Sequence, residues 1–341
     1  MSLDKSFFTR NTNITAKMIC DSISEQGVRL TTFEIEYPRF IHSEVMTHRS
    51  LSKNSSSSRA IPITKMLEQI EDNMAIPIYW GKAKSGMQAT EEVCSTIQKY
   101  ACERWGYAYL DVKHYVEQLV DGDLHKQVPN RLTEPFQMMK VVITGTDFDN
   151  FFNLRIHKDA QPEICMLAYK MYEAMQESKP VELKAGEWHL PYVGFYRVKS
   201  GRGFGCVEYF TGVVRTESYH ILTLEQAIKL SAASCASVSY RTEGMTLEKA
   251  DKIFDTLIKA EVVHSSPLEH CATPVKPKFN ELCKVRVNCS EPQSWEEGIT
   301  HMNKQGELCS GNLRGFIQYR HLLPNNTNWK FDFEKRMEIF K

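Results

Sequence analysis

The amino-acid sequence predicts an α+β fold. Residues 30–37 alternate between apolar and polar side chains, which is typical of a half-buried strand. Several longer segments repeat apolar residues at helical spacing. Strands and helices do not alternate regularly along the chain, as a parallel sheet built from strand–helix–strand units would require. The mixture of both element types without that alternation therefore favours α+β over α/β.

These patterns place the predicted elements in order along the chain. Phe33, Ile35 and Tyr37 form the apolar side of the first strand, which ends at Pro38. Asp159 is a candidate N-cap. The apolar face of the helix after it contains Ile164, Leu167, Ala168, Met171 and Met175. Other segments are predicted as helices at 62–75, 91–120, 224–234 and 246–262, as short strands at 141–144 and 282–288, and as strands or an irregular connection at 180–220.

Composition argues against several classes of partner. The 341-residue chain has 42 lysines and arginines and 42 aspartates and glutamates, a balance that does not support nucleic-acid or membrane-surface binding. No stretch approaches the ~18 apolar residues needed to span a bilayer, and the N-terminus lacks a signal-peptide core. Ten cysteines without a CxxC pair are typical of free thiols and argue against a zinc ribbon. We therefore expect a cytoplasmic protein.

Residues 47–60, THRSLSKNSSSSRA, form the most unusual stretch. Small hydroxyl residues let backbone N–H groups approach a phosphate closely, and an arginine such as Arg59 can then clamp it with paired hydrogen bonds. Taken alone, the stretch is better explained as a serine-rich surface loop. Only further motifs elsewhere in the chain would favour a binding site.

Two later segments offer such motifs. In residues 149–164, DNFFNLRIHKDAQPEI, Arg155 precedes the predicted helix and can reach a ligand at its N-terminus, although a surface turn explains the segment equally well. Residues 264–270, HSSPLEH, lack the HExxH spacing of a helical metal site, and Pro267 disturbs a helix there. Hydrogen bonding or shielding of an aromatic ring by His264 is therefore favoured over metal binding.

Together these segments resemble the flavin-dependent thymidylate synthases. The family signature is RHR, seven residues and a serine, usually with an arginine two residues later; residues 47–59 match it except at the first arginine. The family's NFLNLR, HAQWEI, ARVS and HxSPxEH elements and its arginine-containing helix are matched at 150–155, 159–164, 236–239, 264–270 and 130–135. Several such motifs in one chain favour a binding site at residues 47–60.

The order of the elements differs from that of common family members, in which ARVS and HxSPxEH precede RHR. The resemblance implies one catalytic domain over residues 1–341 in permuted order. Its parts are a segment at 1–180 with the THR-x7-S and NLR elements, a connector at 181–222, and a segment at 223–341 with the ARVS-like and HxSPxEH elements. Exposed breakpoints tolerate permutation. The resemblance also implies a mostly antiparallel sheet with long flanking helices, a homotetramer, and likeness to larger phage-type relatives.

The resemblance implies reductive methylation of dUMP to dTMP with FAD as cofactor and NADPH and methylenetetrahydrofolate as co-substrates. It assigns flavin binding to His48, Arg49, Asn54, Asn150 and His264. It assigns nucleotide binding to Glu44, Ser57, Ser58, Arg59, Arg131 and Arg155. Arg155 and Ser57 are the expected catalytic residues, since a cation beside the pyrimidine stabilises charge that builds when C5 attacks. No metal is expected. The missing GxGxxG fingerprint agrees with a family that binds FAD without a Rossmann unit.

Several positions depart from the family pattern. Thr47 replaces the first arginine, Glu44 a glutamine and Ser55 a glutamate, and Asp159 lies near the family's histidine. A carboxylate at position 44 accepts hydrogen bonds from an amino group, so a cytosine nucleotide or a hydroxymethylated product is an alternative outcome. A non-catalytic nucleotide-binding descendant is a third hypothesis. A C-terminal arginine such as Arg320 is a candidate to replace the missing guanidinium.

Overall fold

The computed structural model describes residues 6–86, 88–199, 205–211, 221–238, 245–260, 262–276, 295–327 and 331–340. The chain divides into two compact units. The first contains the described residues of Met1–Ile23, Gly27–Glu182 and Ser237–Gly244, and the second those of Ser24–Gln26, Leu183–Ala236 and Met245–Lys341. Both units combine helices with antiparallel strands, which confirms the predicted α+β class.

The first unit is built on a sheet with the strand order β3–β4–β2–β1–β5. The strands are β1 (Thr15–Ser24), β2 (Arg29–Pro38), β3 (Ser52–Ser55), β4 (Met138–Gly145) and β5 (Val181–Leu183). β2 pairs antiparallel with β1 and β4, and β4 pairs antiparallel with β3. The helices are α1 (His42–Met46), α2 (Ile63–Asp72), α3 (Ser95–Asp121), α4 (Pro129–Leu132), α5 (Asp149–Arg155) and α6 (Pro162–Glu177). The strands predicted at 30–37 and 141–144 are confirmed as β2 and β4.

One face of this sheet packs against α6. The three apolar side chains predicted for β2 are fully buried, as is Ile143 of β4. The same core cluster contains the helical face Ile164, Leu167, Ala168 and Met171, with Met175 packed at its edge. The predicted apolar face of α6 is therefore confirmed. On the other side of β2, Thr32 is also buried, and a 2.6 Å hydrogen bond with the hydroxyl of Thr144 offsets the cost of burying its own hydroxyl.

The predicted N-cap at Asp159 is wrong. α6 begins at Pro162, and Gln161 holds the cap position in extended conformation. Proline favours the first helical position, because its φ is already helical and its missing N–H needs no partner there. Asp159 instead lies exposed before the helix, 3.7 Å from the ring nitrogen Nδ1 of His157.

The second unit contains small antiparallel sheets and a helix pair. Its elements are β6 (Val193–Lys199), β7 (Gly205–Thr211), β8 (Ile221–Leu222), α7 (Leu224–Ala236), α8 (Leu247–Ile258), β9 (Ala272–Pro274), β10 (His301–Met302), β11 (Leu308–Ser310), β12 (Leu313–Arg314), β13 (Phe316–Gln318) and α9 (Phe333–Met337). The sheet orders are β6–β7–β8, β10–β11–β12 and β13–β9. The helices predicted at 224–234 and 246–262 are confirmed, although α8 ends earlier than predicted. The strand predicted at 282–288 lies outside the described residues.

Within the described ranges, no helix combines the length and apolar character needed to cross a membrane. The cysteines whose side chains the structure describes carry free thiols: Cys20, Cys94, Cys102, Cys165, Cys235, Cys271 and Cys309.

Replacing Phe33 by alanine tests the core between the sheet and α6. Phe33 is fully buried, and its ring meets Phe148 edge to face at 5.4 Å. We expect the free energy of unfolding, measured by urea denaturation, to fall by about 3–5 kcal/mol. Tyr107→Ala on α3, where the side chain is 53% exposed, is the control, with an expected change within about 0.5 kcal/mol. Equal losses for both variants would contradict this assignment of the core.

Candidate functional site

Two of the predicted segments meet at Arg155, the last residue of α5. Its Nε–H donates to Nε2 of His48 at 2.8 Å, and Nη1 donates to Oε2 of Glu44, also at 2.8 Å. A longer contact of 3.4 Å joins Nη2 to the hydroxyl of Thr47. The structure therefore brings together three predicted site residues, and it adds Thr47, which the sequence comparison had marked only as a departure.

Local sequence explains how one short segment presents three acceptors. Residues 44, 47 and 48 are spaced i, i+3 and i+4, so they share the face of the α1 turn and its continuation. Val45 points away from this face, is fully buried and anchors the turn. The hydroxyl of Thr47 donates to the carbonyl oxygen of Glu44 at 2.6 Å, which closes the turn.

The sheet then brings this turn beside α5. β3 begins with Ser52 opposite Thr144, at the end of β4 and just before α5. Gly145 permits this approach, because a Cβ there would lie 2.4 Å from Cδ2 of Leu51. The ring of His48 packs edge-on against Phe151 of α5, with centroids 4.8 Å apart. The position of His48 next to Arg155 is thus a consequence of strand pairing.

His48 acts as a neutral hydrogen-bond acceptor in this arrangement. The side chain is buried, and burial together with the positive charges of Arg155 and Lys53 lowers the pKa of His48 from 6.5 to about 4. Nε2 accepts from Arg155, so the ring proton resides on Nδ1 at neutral pH. Lys53 donates to the carbonyl oxygens of His48 and Leu51, the latter at 2.9 Å.

Glu44 and Arg155 line a cavity of about 800 Å³. This volume lies within the range of about 300–1,000 Å³ that is usual for small-molecule sites. Its wall also contains aromatic side chains, Phe40, Tyr79 and Trp105. An oriented cation and a carboxylate in a partly aromatic cavity suit a planar heterocyclic ligand.

The serine-rich stretch is only partly a loop. Asn54 lies on β3 opposite Val142, and Ser58 is buried. Asn130 holds the end of the stretch, because its amide nitrogen donates to the carbonyl oxygens of Ser58 at 2.7 Å and Ile61 at 3.0 Å. This fixing role of Asn130 was missed, since a single asparagine 72 positions away gives no local signal.

The predicted phosphate-binding residues are not gathered at the cavity of Arg155. Ser58 lines a second cavity, of about 390 Å³, together with Arg39 and Glu36. Ser57 and Arg59 are exposed. Arg131 is also exposed, and its guanidinium pairs with Glu134 at 2.7 Å. Arg39 pairs with the same carboxylate oxygen at 2.8 Å.

His264 belongs to the second unit. It is exposed, and its backbone N–H donates to the carbonyl oxygen of Leu257 at 2.9 Å. Within the same unit, Arg320 pairs with Glu269 of the HSSPLEH element, and Arg314 pairs with Glu307 at 3.0 Å. Replacement of the missing guanidinium by Arg320 stays a prediction. In the ARVS-like element, the last residue, Ser239, lies outside the described residues.

Comparison with known proteins finds a family whose model matches part of the first unit. Residues 28–181 match the Thy1 family, thymidylate synthase complementing protein, and this match lies entirely within the first unit. It confirms the resemblance inferred from the motifs at 47–59, 130–135 and 150–164, and it supports a nucleotide-modifying enzyme of the thymidylate synthase type. The elements at 236–239 and 264–270 lie outside the matched residues.

The solved structures that resemble the chain include two crystal structures of the UMP/dUMP methylase PolB from Streptomyces cacaoi. The complex with 5-Br UMP is 16% identical with a TM-score of 0.43, covering 49% of this chain and 90% of the other. The complex with 5-Br dUMP is 17% identical with a TM-score of 0.41, covering 49% and 91%. No curated protein sequence matches the chain.

The predicted flavin-binding residues fit a dinucleotide cofactor in part. Arg49 and Asn150 are exposed, and a guanidinium and an amide are suitable partners for a diphosphate and for ring carbonyl groups. The ring of His48, however, faces inward, with Nε2 already bonded to Arg155. Any direct contact of this side chain with a cofactor is therefore restricted to its Nδ1 edge.

The lowered pKa of His48 predicts a pH-dependent stability. Below pH 6.5 the unfolded chain takes up this proton before the folded protein does, so the free energy of unfolding falls as the pH drops from about 6.5 towards 4. The loss is at most about 3 kcal/mol. His48→Gln removes the titrating group and should flatten this part of the profile, measured by urea denaturation at each pH. His114→Gln, an exposed histidine of α3, is the control. Parallel profiles for wild type and His48→Gln would contradict the assignment.

Proposed function

We propose that the protein is a flavin-dependent thymidylate synthase that methylates C5 of dUMP, with FAD as cofactor and NADPH and methylenetetrahydrofolate as co-substrates. The observation that carries the proposal is the oriented guanidinium of Arg155 in the wall of the 800 Å³ cavity. The match of this unit to the Thy1 family supports the reaction class. The proposal includes a cytoplasmic location, a homotetramer and the permuted order of segments.

Arg155 is suited to assist attack by C5 of the pyrimidine. Negative charge builds on the ring oxygens as C5 forms its bond to the one-carbon unit, and a fixed guanidinium stabilises that charge. Glu44 and His48 hold the group before substrate arrives, so little reorganisation is needed. The flavin, when bound, supplies the reducing equivalents of the reaction.

The remaining predicted residues bind the other parts of the ligands in this proposal. Arg59 and Arg131, with Ser57 and Ser58, hold the nucleotide phosphate, and the exposed hydroxyl of Ser57 is the second catalytic candidate. The residues proposed to contact FAD are His48, Arg49, Asn54, Asn150 and His264.

The ion pair of Glu44 favours a uracil nucleotide over a cytosine nucleotide. Glu44 was a candidate acceptor for an amino group, but its Oε2 lies 2.8 Å from Nη1 of Arg155, whose positive charge balances that of the carboxylate. A carboxylate that is already paired with a cation attracts an amino donor less strongly than an unpaired one. Cytosine as substrate and a hydroxymethylated product remain the alternatives to be tested.

Tritium release from C5-labelled dUMP tests the reaction directly. Purified protein mixed with FAD, NADPH and methylenetetrahydrofolate should release tritium from dUMP and not from dCMP. Gel-filtered protein should retain flavin absorbance. Tritium release from dCMP and not from dUMP would overturn the proposal that the substrate base is uracil. A colourless protein without release from either nucleotide would favour a non-catalytic descendant. A reaction without NADPH is the control.

Arg59→Ala tests the proposed phosphate site. Loss of a charge-assisted hydrogen bond worth about 1.5–3 kcal/mol should raise the KM for dUMP about 10- to 100-fold. Since Arg59 is exposed, the free energy of unfolding should change by less than about 0.5 kcal/mol. Arg104→Ala is the matched control, because this arginine lies on α3 over the rings of Tyr100 and Tyr107. Equal KM values for the two variants would exclude a phosphate role for Arg59.

A further inference from the structure

Glu44 and Arg155 form a half-buried ion pair, with 32% and 18% of their side chains exposed. Among the described residues, Glu44 is the carboxylate that pairs with Arg155. The other short contact of the guanidinium, to His48, involves an uncharged ring, and the contact with Thr47 is long at 3.4 Å. Glu44 therefore supplies the opposite charge among the interactions that orient the guanidinium of Arg155.

Two bonds to different nitrogens determine the orientation of a guanidinium. Nε bonded to His48 alone would leave the terminal nitrogens able to turn about that contact. The bond from Nη1 to Glu44 stops this rotation and fixes the plane of the group. Glu44 is itself held, because its carbonyl oxygen accepts from both the N–H and the hydroxyl of Thr47, at 3.1 and 2.6 Å. The orientation of Arg155 in the cavity thus depends on a carboxylate attached to a closed turn.

We propose that Glu44 is a positioning residue that determines nucleotide recognition by fixing the plane of Arg155, and that it acts on the pyrimidine through that guanidinium. The inference rests on the proposed function, because it assigns the pyrimidine to Arg155. Direct contact of Glu44 with the base is the competing explanation. If Glu44 acts through Arg155, replacing Glu44 weakens nucleotide binding only when residue 155 is an arginine. If Glu44 contacts the base directly, the same replacement weakens binding with a lysine at position 155 as well.

A double-mutant cycle with dUMP binding measured by calorimetry separates these explanations. Glu44→Gln keeps the length of the side chain and removes its charge, and Arg155→Lys keeps the charge and removes the fork. We expect Glu44→Gln to weaken dUMP binding about tenfold or more in the wild-type background and less than about twofold in the Arg155→Lys background. Equal weakening in both backgrounds would show direct contact and overturn the proposal, as would no weakening in the wild-type background.

The Nε–H proton of Arg155 can be observed by NMR and assigned by its loss in Arg155→Lys. Its exchange rate reports how firmly Glu44 and His48 hold the guanidinium in the absence of any ligand. We expect a slowly exchanging signal in wild-type protein, faster exchange in Glu44→Gln, and no change in Glu71→Gln. Glu71 is the matched control, since it pairs with Lys113 at 2.6 Å and does not line the cavity. Unchanged exchange in Glu44→Gln would refute the positioning role. Failure of the proposed function would instead appear in wild-type protein, as absence of dUMP turnover.

Discussion

The guanidinium of Arg155, held between Glu44 and His48, is the interaction on which the candidate site depends. It joins residues that are more than a hundred positions apart in the chain. Their meeting requires β2, β3 and β4 to pair in the observed register, because that register sets the α1 turn beside α5. The buried core between this sheet and α6 therefore supports the geometry of the site as well as the stability of the unit.

The same interaction determines the protonation of its members. A histidine buried beside two cations is neutral at physiological pH, and a neutral imidazole can accept the hydrogen bond that a charged one cannot. The carboxylate of Glu44 then balances the charge of Arg155 at the cavity wall. Glu44 and Thr47, which depart from the family pattern, both contact this one guanidinium. The two departures therefore act on the same group in this protein.

The serine-rich stretch is arranged by different forces. Part of it forms the edge strand β3, which pairs with β4. The following segment is held by the side-chain amide of Asn130. Ser58 consequently lies at the smaller cavity with Arg39, whereas Arg155 lies at the larger one.

The sequence by itself determined the fold class, the apolar faces of β2 and α6, and the resemblance to thymidylate synthases. Alternation and helical spacing are local properties, and the motifs are contiguous, so neither needs the folded chain. The start of α6 was misplaced because Asp159 and Pro162 both carry a start signal, and the preference of proline for the first helical position prevailed. Only the tertiary structure decided that Glu44 and His48 bind Arg155, that the pKa of His48 is low, and that Ser58 faces another cavity. These features depend on strand register, burial and charges brought together from distant parts of the chain, which no local pattern encodes.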